Sequence, residues 1–215
     1  MAAIPLPGEE FETAPMGTHI AICSRIIDLG TQPVPVFGSS SGETEMKHQI
    51  VLGWELPNER MSNGVPFLVI SYYLWSMHEK ASLRKALESW RGQKFTKDDF
   101  GKFEIKNVLG KPCQVIIGES QTGKAKVMGV AGFPKGTPTP KLHDEPIYVW
   151  LSAAEFDEAA YEQLSDFWKT KIKATPEWAS IHAPKSLGNG SAKQHVTFSE
   201  EMSDEIPFAT SEGIW

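Results

Sequence analysis

Cysteine is scarce in this chain. There are two in 215 residues, Cys23 and Cys113, and neither has the C-x-x-C or Cys/His spacing of a metal site. Each lies in an apolar, strand-like run, the setting of a buried free thiol in a reducing compartment rather than of a disulfide. Long apolar runs are missing too. The longest, such as residues 65–70 (VPFLVI) and 113–117 (CQVII), are strand-sized, far short of the roughly 18 residues that span a bilayer. No membrane span is expected. The N-terminus, MAAIPLPGEEFETAP, carries acids and prolines where a secretory signal has a basic region and an apolar helix, so the expected location is the cytoplasm.

Catalytic patterns are equally sparse. The six histidines show no HxxxH or HxH spacing, there is no G-x-S-x-G elbow, and the core carboxylates are scattered rather than paired. Gly118-Glu-Ser-Gln-Thr-Gly123-Lys124-Ala125 falls one residue short of a phosphate-binding P-loop. Ala125 replaces the hydroxyl that holds magnesium, and KAKVMGVAG after it alternates like a strand, whereas a P-loop opens a helix. A hairpin turn is the expected reading, with no enzyme activity, metal or cofactor.

Charge is unevenly spread. The net charge is -6, yet residues 80–135 hold twelve bases against five acids, while residues 186–215 hold five acids and one base, Lys193. A basic middle between acidic ends points to an anionic partner for the folded part and an extended, solvated tail.

The length fits one core of roughly 150 to 200 residues plus unstructured ends. Residues 17–29 alternate, with Ile20, Ile22 and Ile26 on one face and His19, Cys23, Arg25 and Ile27 on the other, predicting a first strand. Residues 47–56, with Ile50, Leu52 and Trp54 on one side, and residues 65–75 predict a hairpin. Ser76 and Glu79 then form a capping-box pattern, and Leu83, Ala86, Leu87 and Trp90 recur at helical spacing until Gly92. Residues 96–109 read as a loop or short helical turn, and residues 112–119 and 124–133 as two strands joined by SQTG. Five strands with a helix between the third and fourth is the element order of an OB-fold, a five-stranded Greek-key barrel, in a mainly β chain with added helices. Residues 152–173 predict one amphipathic helix with Phe156, Ala160, Leu164, Phe167 and Ile172 inward. The expected organisation is a flexible arm over 1–16, a barrel with its C-terminal helix over 17–184, and a flexible acidic tail over 185–215.

Aromatic and basic residues interleave on the predicted strands. Single-strand binders need both, because cations track phosphates and flat rings stack on unpaired bases. The candidate DNA contacts are Arg25, Lys47, Trp54, Tyr73 and Trp75, the helix bases Arg84, Lys85 and Arg91, and Lys124 with Lys126. About half of these aromatics belong to the core of any barrel this size. By parity Phe67, Tyr73 and Trp75 share one face, and Leu68, Ile70, Tyr72 and Leu74 the other; the more aliphatic set is expected to fill the barrel.

Two resemblances sharpen this reading. Asp204-Glu205-Ile206-Pro207-Phe208 resembles the acidic tip of bacterial single-stranded DNA-binding proteins, although Ala209 to Trp215 follow the Phe here. It implies that these five residues dock replication or recombination proteins. Segments 17–32, 47–57, 76–95 (with LRKALESWRG) and 107–117 (with LGKPC) resemble a phage family encoded among replication and recombination genes and assigned as OB-fold single-stranded DNA-binding proteins. That resemblance implies sequence-tolerant binding and protection of single-stranded DNA in the bacterial host cytoplasm, and a homo-oligomer is compatible with it. The rival classes are a protein-binding adaptor with an OB-like barrel and a nucleotide-using enzyme on the near-P-loop.

Overall fold

Isoleucine, valine and leucine recur at every second position along much of residues 17–60, the pattern of a pleated strand with a buried face. In the computed structural model, which describes residues 12–36, 42–120 and 123–183, this segment forms two long antiparallel strands, β1 (Gly17–Pro35) and β2 (Thr44–Arg60). The remaining strands are β3 (Pro66–Leu74), β4 (Pro112–Glu119), β5 (Ala125–Ala131) and the short β6 (Ile147–Val149). One six-stranded sheet results, ordered β3-β2-β1-β4-β5, with β6 beside β1. Every pairing is antiparallel except β6 with β1 at Arg25–Ile27. The chain is mainly β.

Helix α1 (Ser82–Arg91) follows β3 and closes the main core. Its Leu83, Leu87 and Trp90 pack with Ile26, Ile50, Leu52, Trp54, Leu56, Cys113 and Val115 from the sheet. Trp90 also donates from Nε1 to the Pro112 carbonyl at 3.0 Å, pinning the helix to the start of β4. A second cluster lies on the opposite face. There Ile27, Leu29 and Val51 are covered by Val149 and by α2 (Glu158–Glu162), α3 (Asp166–Lys173) and α4 (Pro176–Ile181), through the buried Tyr161, Leu164, Trp168 and Ile172 and the partly buried Trp178 and Ile181. Among the described residues no helix is long and apolar enough to cross a membrane.

Several expectations need correction. Strict alternation in β1 fails because Ser24 is an extra residue between the pairs Cys23–Trp54 and Arg25–Gly53. The bulge shifts the phase, so Cys23 and Ile26 both face the main core while Ile22, Arg25 and Ile27 face outward. Ser76 and Glu79 do not cap α1. The Ser76 hydroxyl accepts from the His78 N–H at 3.3 Å, and the helix begins only after Ala81. Its end is as expected: Gly92, at φ 75°, donates to the Glu88 carbonyl at 2.9 Å.

The helix predicted over residues 152–173 is broken. Asp157 caps α2 by accepting from Ala159 and Ala160, and Thr175 caps α4 by accepting from Trp178 with Pro176 in its first turn. The restart at Asp166 changes the phase, so Trp168 points inward and Phe167 is 56% exposed. Residues 12–16, assigned to a flexible arm from sequence, include positions that pack on the sheet. Ala14 lies in the main core and the Glu12 carboxylate accepts from the Ser62 N–H at 2.9 Å, so the chain is anchored from Glu12 onward.

Candidate nucleic-acid interface

Cross-strand register places outward-facing side chains in three rows over β1, β2 and β3. The rows are Ile22–Glu55–Leu68, Arg25–Gly53–Ile70 and Ile27–Val51–Tyr72. The first is covered at β1 and β2, where Ile22 is buried and the Glu55 carboxylate accepts from the His143 N–H at 2.8 Å. The third is covered over Ile27 and Val51 by the C-terminal helices. Between them Arg25 lies across Gly53, where a Cβ would meet Arg25 Cβ at 3.1 Å. Glycine there lets the arginine stem lie flat toward β3.

On β3 the outward residues remain open: Leu68, Ile70 and Tyr72 are 38%, 37% and 46% exposed. Tyr72 leans on Trp168, ring centroids 5.6 Å apart, and Trp168 meets the exposed Phe167 edge-on at 5.0 Å. Lys171 stands 5.3 Å over the Phe167 ring. The result is an apolar and aromatic band with Arg25 at one side and Lys171 at the other. Its chemistry suits flat, weakly polar rings joined by anionic links.

The predicted contacts scatter over the molecule. Arg25 joins the band. Trp54 is fully buried and Tyr73 is 8% exposed, both in the main core, so neither ring can offer a face to a base. The parity assignment on β3 is thereby inverted: Phe67, Val69 and Tyr73 point inward, and Leu68, Ile70 and Tyr72 outward. The reason is register. Leu56, Trp54 and Ile50 pair with Phe67, Val69 and Tyr73, and cross-strand partners share a face.

Trp75 is half-buried, edge-on to Trp150 at 4.9 Å, in a group where Tyr148 stacks on Trp150 and Lys106 stands 5.0 Å over Tyr148. Arg84 is engaged by Glu88 at 2.8 Å and lies over the Phe100 ring, and Arg91 is engaged by Asp99 at 3.1 Å. These two arginines fasten α1 to the segment after it. Hydrogen bonds and the arginine charges outweigh burial to hold the Glu88 and Asp99 carboxyls below the usual range. Lys47 pairs with Glu45, and Lys85 is exposed on α1. Lys124 and Lys126 are exposed at the β4–β5 hairpin, where Lys126 shares the outer surface with Ile116 and Met128 rather than with the β3 band. The tail residues Asp204 to Phe208 lie outside the described residues.

Sequence reasoning missed Gly53, Leu68, Ile70, Tyr72, Phe167 and Trp168. The signal for the β3 residues was present, since an inward Trp54 obliges its β3 partner to point inward, but using it requires the register that the turn imposes. Among the described residues no three His, Cys, Asp or Glu side chains form a group able to hold a metal ion. No family model matches the chain, and no curated protein matches it.

Proposed function

We propose that this chain binds single-stranded DNA on the outer face of β1–β3, on an OB-type barrel. The barrel reading is supported by the order β3-β2-β1-β4-β5, by α1 between β3 and β4, and by the approach of β3 to β5. The observation that carries the function is the open band of Leu68, Ile70, Tyr72 and Phe167 beside Arg25. Stacking of a base on such a ring contributes about 1 to 3 kcal/mol and is indifferent to base identity. The resemblance to phage single-stranded DNA-binding proteins points the same way. In that reading the protein protects replication and recombination intermediates in a bacterial host cytoplasm, and the tail recruits partner proteins.

Titration with oligo-dT tests it. Binding is expected to quench tryptophan fluorescence, because Trp168 lies directly beneath the band, and to weaken as salt rises. Absence of quenching at low salt would refute the reading. A protein-binding adaptor is the second reading, favoured by Met128 and Ile116 standing 62% and 44% exposed on β4–β5. It predicts no affinity for oligo-dT at any salt.

A further inference from the structure

A titratable imidazole stands between the sheet and the C-terminal helices, with a carboxylate on either side. The Asp28 carboxylate on β1 is buried, accepts from the Gly30 N–H at 2.8 Å and the Leu151 N–H at 3.2 Å, and lies 2.6 Å from His48 Nε2 on β2. Beyond the ring, His48 Nδ1 stands 4.0 Å from the Glu177 carboxylate of α4. Glu177 in turn accepts from the Thr31 N–H at 3.0 Å and from the Thr31 hydroxyl. Gly30, at φ 65°, makes room for this approach, since a Cβ there would sit 2.7 Å from Glu177 Oε2. Trp150 stacks near the imidazole at 6.4 Å. Tyr148 on β6 stacks on Trp150 and donates from its hydroxyl to Glu155 at 2.8 Å, and Lys47, next in the chain, is engaged by Glu45. Two carboxylates from different elements therefore face the two nitrogens of one imidazole.

A protonated imidazole presents an N–H to each carboxylate. A neutral one presents a lone pair to one of them, which leaves a part-buried carboxylate facing an acceptor. We infer that His48 is a pH-operated clamp: protonated, it ties α4 to β1 and β2 and, through the α3 residue Trp168 against Tyr72, sets the wall of the band; deprotonated, it lets the helical unit loosen. The control of the band rests on the DNA-binding reading above; the clamp itself does not. Burial of the ring opposes protonation, but the Asp28 hydrogen bond and charge, with Glu177 behind them, outweigh it and raise His48 above its ordinary value. Its stabilisation is thus fully present below the unfolded-state value, about 6.5, and is lost as pH rises through the raised folded value. Other contacts hold the unit when His48 is neutral, among them the Thr31 hydrogen bonds to Glu177 and Gln32 donating to the Lys171 carbonyl at 3.1 Å. Loosening is therefore local.

Hydrogen exchange on the full chain reads the clamp directly. Protection factors for amides in residues 166–181 are expected to fall several-fold between about pH 6 and about pH 9. In H48Q, which keeps one hydrogen bond to Asp28 and never carries charge, protection should be lower at the acid end and flat with pH. His182, stacked on Trp178 and 3.9 Å from Glu158, stays in place in that variant and serves as the internal control. E177Q, which retains a partner for Thr31 but loses the far charge, should shrink the pH-dependent fall and covers the case that H48Q does not fold. Wild-type protection that is flat with pH, or a full wild-type fall surviving in either variant, would overturn the clamp. Oligo-dT affinity at fixed salt should be several-fold tighter at the acid end in wild type than the same comparison shows in H48Q. Pronounced pH-dependent exchange with identical DNA behaviour in both proteins would overturn its control of the band. Failure to bind oligo-dT at any pH would remove the DNA-binding reading while leaving the exchange result to decide the clamp.

Discussion

Trp54 and Tyr72 belong to the same hairpin and face opposite ways, so removing each has a different consequence. Trp54 is enclosed by the main core and tilts against Trp90 at 6.4 Å, and its Nε1 has no hydrogen-bond partner among the described residues. Trp54→Ala should cost about 3 to 5 kcal/mol of stability, a large share of the roughly 5 to 15 that a domain possesses, seen as a lower urea midpoint. Tyr72→Ala opens no enclosed cavity. It should leave the urea midpoint nearly unchanged while weakening oligo-dT binding by about 1 to 3 kcal/mol. If Tyr72→Ala binds like wild type, the band is not a stacking platform. Lys124 and Lys126 address the phosphates instead. Replacing both with Ala should weaken binding to all sequences alike and flatten the salt slope by about 1.4 if both touch a single strand. An unchanged slope would put the β4–β5 hairpin outside the DNA path.

At the scale of the element, β1 depends on its bulge. Ser24 has a buried hydroxyl without a partner among the described residues, and its backbone supplies the extra residue that turns Cys23 and Ile26 to the same face. Its side chain and its presence therefore have opposite weights. Ser24→Ala should be neutral or slightly stabilising, because it removes a buried unsatisfied group. Deleting Ser24 should abolish cooperative unfolding, since a one-residue slip exchanges the faces of everything on one side of it. Near-UV circular dichroism distinguishes the outcomes, and a deletion that retained the native aromatic signal would show that the bulge can relocate. The helical segment illustrates the same sensitivity to phase: a restart at Asp166 decides that Trp168, not Phe167, meets Tyr72.

For the whole molecule, the net charge of -6 conceals a partition between a basic middle and an acidic end. The tail prediction follows from charge alone. Residues 186–215 carry five acids and one base, and a flexible tether would hold such a segment near the folded part at an effective concentration that reaches about the millimolar range. Deleting them should tighten oligo-dT binding, most visibly at low salt where exposed charges are least screened. Truncation after Phe208 should preserve both the competition and the recruitment of replication proteins if Asp204 to Phe208 are the working element. Loss of recruitment with unchanged DNA affinity would place the docking tip in Gly213, Ile214 and Trp215.

Local chemistry alone specified a good deal: the positions of β1 to β5 though not of the short β6, the inward face of β2 through Ile50, Leu52 and Trp54, the helix ending at Gly92, and the β4–β5 hairpin in place of a P-loop. Those features depend on alternation and on single residues with strong conformational preferences, which a chain carries whatever it packs against. The face of β3, the phase change at Ser24 and the breaks in the C-terminal helices were decided only on folding. Each is a question of register between segments far apart in sequence, where propensities are nearly balanced and burial chooses. The same holds for the candidate site. Arg25 was legible as a cation on a strand, but its placement over Gly53, beside a band that runs from Leu68 on β3 to Phe167 on α3, exists only once strands and helices have met.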